Sequence, residues 1–197
     1  MHANHITGLI LAGGRGSRMG HVDKGLQPFR GIPMVLHVIT RLSPQVGALM
    51  INANRNHAPY EAFGLPVWPD ELGGFEGPLA GLQTGLRHCS TDYLVTAPCD
   101  SPFLPDDLVA RLGDALTAND ADLAMAVTGT AESRQSHPVF MLLKASLLPH
   151  LTQYLQEGGR AMGKWVHSLR FTEVPFPDED AFRNINTLDD LRRFDSL

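Results

Sequence analysis

Leu11-Ala12-Gly13-Gly14-Arg15-Gly16-Ser17-Arg18-Met19-Gly20, with Asp23-Lys24-Gly25 a few residues on, is the stretch from which the fold is read. It follows an apolar run, Ile6 to Leu11, that suits a buried strand turning sharply at glycines so that backbone N–H groups face an anion. Glycine is needed there because only it lets the backbone approach a ligand closely. Arg15, Arg18 and Lys24 add mobile donors: a guanidinium grips phosphate oxygens in pairs, and an ammonium supplies a point charge. Three cations beside such a turn suit a triphosphate. The spacing is not G-x-x-x-x-G-K-[ST], since no Ser or Thr follows Lys24. Nor is it G-x-G-x-x-G, whose third glycine would fall on Met19. The plainer alternative is an exposed strand-to-helix loop, and the carboxylates further along weigh against it.

With 197 residues and 43% apolar content, the chain can bury a core without disulfides, so a single domain over residues 1–197 is expected. No apolar run approaches the roughly 18 residues of a membrane span. The polar start Met1-His2-Ala3-Asn4-His5 lacks the cationic end and apolar core of a signal peptide, so the expected location is cytoplasmic, with no membrane partner. A net charge of −5 and the lack of a basic, aromatic-interleaved run argue against nucleic acid as a partner. Cys89 and Cys99 fit neither a zinc spacing nor a disulfide framework and read as small buried residues.

Strand-like and helix-like segments alternate, the pattern of an α/β fold: a three-layer, Rossmann-like, mostly parallel sheet with helices on both faces and right-handed crossovers. Strands are expected at Ile6 to Leu11, Ala48 to Asn52, Val67 to Asp70, Tyr93 to Ala97, Leu123 to Val127 and Val139 to Leu143. Helices are expected at Pro33 to Leu42, from Pro78, and through Leu104, Leu108, Leu112 and Leu116, whose four-residue repeat marks a core-facing stripe. Others are expected at Ser146 to Gln156, after Arg160, and from Thr187, where Thr187-x-x-Asp190 resembles a capping pair. Pro175 to Asp180 reads as a loop.

Ligands of an open α/β sheet sit beyond the carboxyl ends of its strands. Asp100 follows an apolar strand between Pro98 and Pro102 and reads as a Mg²⁺ ligand, because Mg²⁺ is often held by one or two carboxylates plus substrate phosphates. The alternative is a helix cap, which Ser101 or Asp106 could serve equally well. Asp70 repeats the strand-end placement, and Asn52 and Asn54 offer amides toward a base or close turns by themselves. Arg160, and Asn184 to Thr187, are polar clusters that could line a second substrate. His137, before Pro138, is the only histidine placed near this edge, and a structural role is the plainer one for it. No Ser-His-Asp or Cys-His set is evident.

Taken together, these residues resemble the molybdenum cofactor guanylyltransferase family, whose opening is similar to Leu-Ala-Gly-Gly-x-x-x-Arg-Met-Gly followed by Asp-Lys. The likeness continues at Asn52-Ala53-Asn54-Arg55, Gly77-Pro78-Leu79-Ala80-Gly81, Pro98-Cys99-Asp100, His137-Pro138 and Asn184-x-Asn186-Thr187. The loop alone indicates the wider nucleotidyltransferase superfamily; Asp23-Lys24 and Asn52-Ala53-Asn54 favour the guanylyl branch. The resemblance implies a nucleotide-diphospho-sugar transferase type of fold, with GTP bound by the N-terminal part and molybdopterin by the C-terminal part. Leu11, Ala12, Gly13, Gly14, Lys24, Asn52, Asp70 and Asp100 would contact GTP, and Asp100 would hold Mg²⁺. Arg160, Asn184 and Asn186 would face the pterin side, although Gly159-Arg160-Ala161 carries one basic residue where the family pattern has two.

The implied reaction is attack by the terminal phosphate of molybdopterin on the α-phosphorus of GTP, releasing pyrophosphate. A phosphate monoester is mostly ionised at neutral pH, so it needs positioning more than deprotonation. Lys24, Arg18 and the Mg²⁺ on Asp100 are the candidate catalytic groups, offsetting charge on the phosphates. Implied protein partners are molybdopterin-inserting and recipient molybdoenzyme proteins. The competing readings are CMP transfer from CTP and a non-catalytic nucleotide-binding module. A nicotinamide-dependent oxidoreductase is disfavoured by the failed glycine spacing.

Overall fold

The computed structural model describes residues 1–12, 22–71, 77–185 and 190. The strands are β1 (Ile6–Leu11), β2 (Pro28–Phe29), β3 (Ile32–Pro33), β4 (Ala48–Asn52), β5 (Val67–Trp68), β6 (Tyr93–Pro98), β7 (Leu123–Thr128), β8 (Gln135–Lys144) and β9 (Phe171–Pro175). The helices are α1 (Met34–Leu42), α2 (His57–Glu61), α3 (Pro78–His88), α4 (Leu108–Ala118), α5 (Leu148–Gln156) and α6 (Met162–Val166). Among the described residues, seven strands form one sheet in the order β5-β4-β1-β6-β8-β7-β9, and β2 pairs with β3 in a small hairpin.

The sheet is mostly parallel, as expected, because the apolar strands are joined through helices that cover both faces. Side chains alternate across it with the two-residue period of a strand. Ile6, Ile10, Val95, Ala97, Ala124 and Leu142 join one core with Val35, Val38 and Leu42 of α1, Tyr60 of α2, and Leu108 and Leu112 of α4. Leu9, Leu94, Met125 and Met141 join the other, with Leu82 of α3, Leu151 and Leu155 of α5, and Trp165 of α6. Trp165 is fully buried, and burying an aromatic of that size contributes about 2–3 kcal/mol. An apolar core on each face joins the sheet to its helices, giving three layers.

The direction of β8 departs from the all-crossover expectation. It runs antiparallel to both β6 and β7. The connection from β7 covers only residues 129–134, too short for a crossover helix. Its pairing with β7 shifts between Met125↔Met141 and Ala126↔His137, an irregularity that takes in Pro138, which has no N–H to donate. The strand at Val67 ends at Trp68 rather than Asp70, and the helix through Leu104 begins at Leu108. The Pro175 to Asp180 loop is preceded by β9, an unforeseen edge strand pairing parallel with β7, and its Phe176 is buried. Cys99 is buried as expected, while Cys89 is half-buried.

Because β8 runs against its neighbours, its N-terminal residues reach the edge where the parallel strands end. Leu11, Asn52, Pro98 and Thr128 finish their strands there, alongside His137.

Candidate active site

The turn after β6 is tied down on both sides. Cys99 N–H donates to Leu11 O (3.1 Å), Ile185 N–H donates to Asp100 O (2.9 Å), and Ser101 Oγ donates to Asn184 Oδ1 (2.6 Å). Asp100 is therefore held at the strand ends with little freedom, 7% exposed. Lys24 Nζ donates to Asp100 Oδ2 at 3.1 Å, from a one-turn 3-10 segment, Lys24–Leu26. Asp100 Oδ1 has no protein partner among the described residues.

On the other side of β1, Ala12 N–H donates to Asn52 O (2.8 Å). The buried Asn52 amide donates to Trp68 O (3.0 Å) and to Asp70 Oδ1 (2.9 Å). Asn54 Nδ2 donates to Asp70 Oδ2 (2.8 Å) and its Oδ1 accepts from Asp70 N–H (2.8 Å). Both amide hydrogens of Asn52 are thus engaged within the protein, one of them on the carboxylate of Asp70. Helix α3 crosses close above: a Cβ on Gly81 would collide with Asn52 Oδ1 and Leu11 Cδ2, so only glycine fits there.

A cleft of about 410 Å³ lies on the β8 side, lined by Pro98, His137, Phe140, Phe182 and Asn184 among others. His137 stacks on Phe182 (4.8 Å between centroids) and shares a 2.8 Å hydrogen bond between Nε2 and Thr128 Oγ1. Burial lowers its pKa and so favours the neutral ring, opposed in part by the negative charge of Glu179.

Leu11, Ala12, Lys24, Asn52, Asp70 and Asp100 are brought to one edge, with Asn184 joined to it through Ser101. Arg160 is held otherwise, its NH1 donating to Leu155 O (2.8 Å) and Gly159 O (2.6 Å) at the end of α5. Gly13, Gly14, Arg15, Arg18, Asn186 and the helix start at Thr187 lie outside the described residues. The sequence reading left Tyr60 and Asn56 unnoticed. Both donate to the carboxylate of Asp23, at 2.5 Å to Oδ1 and 3.0 Å to Oδ2. A lone Tyr in a five-residue helix and an Asn before it carry no local signal of that meeting.

This strand order, with polar side chains gathered where the parallel strands end, defines a class: the fold is of the nucleotide-diphospho-sugar transferase type, and the chain is a nucleotidyltransferase. Molybdopterin-guanine dinucleotide biosynthesis protein A from Archaeoglobus fulgidus superposes with a TM-score of 0.76 at 22% identity, covering 96% of this chain and 97% of that one. A 4-diphosphocytidyl-2C-methyl-D-erythritol synthase from Anaerococcus prevotii gives 0.77 at 11% identity, covering 99% and 98%. At such identities these likenesses establish the fold. Residues 8–171 match the MobA-like NTP transferase domain, and the chain belongs to that family and, within it, to the molybdenum cofactor guanylyltransferases. It is 58% identical over 192 residues to the molybdenum cofactor guanylyltransferase of Cupriavidus metallidurans, covering 97% of this chain and 95% of that protein. That of Cupriavidus necator is 60% identical over 188 residues (95% and 94%), and that of Bordetella pertussis 54% over 193 residues (98% and 98%). The resemblance carried by the sequence motifs therefore holds over nearly the whole chain.

Proposed function

We propose that the chain transfers GMP from GTP to molybdopterin or its molybdenum-loaded form, making a guanine dinucleotide and releasing pyrophosphate. The observation that carries this reading is the Lys24–Asp100 pair at 3.1 Å, set where β1 and β6 end, on the same sheet edge as the Asp70 carboxylate with its two amides. A carboxylate accepts the paired N1–H and N2–H donors of guanine, and cytosine offers no such pair. That favours GTP over CTP.

The residues fit a magnesium ion. The largely buried Asp100 offers a hard carboxylate oxygen that has no partner among the described residues, and no cluster of three or more metal-binding side chains occurs among them. One carboxylate is sufficient where substrate phosphates complete the octahedron. Mg²⁺ bound there with the triphosphate would neutralise charge developing on the phosphates. Lys24 offsets further charge on the same groups, and Arg18 is assigned the same role from the sequence. The acceptor phosphate needs orientation rather than a base, and the cleft past Asn184 has the volume for a pterin.

In this reading residues 1–197 act as one unit, with GTP bound by the N-terminal part, molybdopterin by the C-terminal part, and Asn184, Asn186 and Arg160 on the pterin side. Its location is cytoplasmic, in keeping with the finding that no helix among the described residues is long and apolar enough to cross a membrane. Molybdopterin-inserting and recipient molybdoenzyme proteins are its proposed protein partners. The test is calorimetric titration with GTP, CTP and NADH in the presence of Mg²⁺. The reading expects GTP to be preferred over CTP by about tenfold or more, roughly 1.4 kcal/mol. A CTP preference would move the chain to cytidylyl transfer, and binding of NADH alone would overturn nucleotidyl transfer.

A further inference from the structure

Lys24 sits on a segment that cannot hold itself in place. A three-residue 3-10 turn has poor hydrogen-bond geometry and too few bonds to be stable alone. A lysine side chain also carries about 2 kcal/mol of rotamer entropy. Its position opposite Asp100 is set by what the turn packs against.

Asp23 occupies the N-cap position of this turn but makes no side-chain cap hydrogen bond. Its carboxylate instead accepts from Tyr60 Oη on one oxygen and from Asn56 Nδ2 on the other. Gly25, on the far side of Lys24, is pressed onto the same place: a Cβ there would lie 2.5 Å from the Tyr60 hydroxyl and 3.2 Å from Cys99 Cβ and Sγ. Tyr60 and the Cys99–Asp100 turn thus form one seat, and Lys24 is the residue between its two anchors.

The short helix α2 is organised around this contact. Asn56 stands at its N-cap in the left-handed region (φ 54°, ψ 39°) and leaves the helix uncapped, its amide going to Asp23. An Asn in that conformation tolerates the strain better than most residues, and a helix of five residues gains little from being there without a partner. Tyr60 is fully buried, and Asp23 is the partner of its hydroxyl. Burial, together with the neighbouring Cys99 and Asp23, pushes its pKa far up and keeps the phenol a donor.

We infer that Tyr60 and Asn56 are positioning residues, acting through the Asp23 carboxylate to fix the Lys24 ammonium opposite Asp100 for the triphosphate. The inference rests on the reading of Lys24 as a GTP ligand.

The test is a cycle of variants read by calorimetric GTP affinity with Mg²⁺, with thermal midpoints measured alongside. Tyr60→Phe should weaken GTP binding about tenfold, and by less than about twofold in a Lys24→Ala background, because the clamp acts through that lysine. Asn56→Gly removes the amide while keeping a residue that accepts the left-handed backbone. It should weaken GTP binding several-fold with a midpoint near that of the wild type, which keeps the test open should Tyr60→Phe fold poorly. Equal losses in both backgrounds, or lowered midpoints with unchanged affinity, would overturn the clamp while wild-type GTP binding stands. A wild-type protein that binds no GTP overturns both the clamp and the reading beneath it.

Discussion

Lys24 Nζ stands 3.1 Å from Asp100 Oδ2, joining residues 76 apart in the chain, with the two side chains 21% and 10% exposed. Exposed ion pairs contribute little, but this one is largely shielded and one partner is anchored by backbone hydrogen bonds on both sides. In the proposed function the ammonium, held in this place, faces the triphosphate, and the second carboxylate oxygen of Asp100 is the one offered to a cation.

Replacing Lys24 by Ala should therefore remove a preorganised donor and lower turnover by about 10²-fold or more. Pyrophosphate release under saturating acceptor is the measurement. Turnover close to that of the wild type would show that Lys24 does not face the reacting phosphates.

Asp100→Ala is expected to abolish most activity and to raise the Mg²⁺ concentration needed for the remainder. In the proposed function the carboxylate is the hard oxygen for the metal, and a methyl group cannot replace it. A Mg²⁺ titration with an unchanged midpoint would remove Asp100 from the metal site.

Asp70 offers a further test, since its two oxygens are held by Asn52 and Asn54 from one side. Asp70→Asn swaps one acceptor for a donor, which meets the donors of guanine unfavourably. A hydrogen bond to a charged group contributes about 1.5–3 kcal/mol, so the GTP over CTP preference should fall by about tenfold or more. Affinities for both nucleotides under one set of conditions decide it, and a preserved preference would place base recognition elsewhere.

What the sequence disclosed and what it withheld follow one physical division. The strands β1, β4, β6 and β7 were legible because strands buried on both faces become continuous apolar runs, and Asp100 and Asn52 because they terminate such runs. The reversal of β8 left no periodic trace: direction is set by the length of the connection, and the strand begins at Gln135, in polar sequence, rather than at Val139. Strand β9 was missed because it is five residues long, half-buried and closed by a proline. Tyr60, Asn56 and Asp23 meet only after the chain has folded, 33 and 37 residues apart, and no local pattern encodes that meeting. Arg160 stood out as a basic residue after two glycines, while the bonds of its NH1 to Leu155 O and Gly159 O at the end of α5 had no sequence signal.

The far edge of the sheet carries an acid-sensitive ion pair. Asp122 precedes β7, and its backbone N–H donates to Arg170 O (2.7 Å), just before β9. Its carboxylate accepts from Arg170 Nε (3.0 Å) and NH2 (2.9 Å), a paired contact, and from Lys144 Nζ (2.9 Å). The Arg170 hydrogen bonds, opposed by burial and assisted by Lys144, hold the Asp122 carboxyl down at about 2. A carboxyl whose pKa is lower in the folded state stabilises the fold above its unfolded value and loses that contribution as pH falls through the folded value. Between pH 4 and pH 2 the wild type should therefore lose thermal stability faster than a variant without the guanidinium. Arg170→Met should melt about 2–4 °C lower at pH 7, and the gap should close as pH approaches 2. Salt should narrow it at neutral pH, because Arg170 is largely exposed. Melting curves of the two proteins that stay parallel from pH 7 to pH 2 would rule out the ion pair as the source of the acid sensitivity.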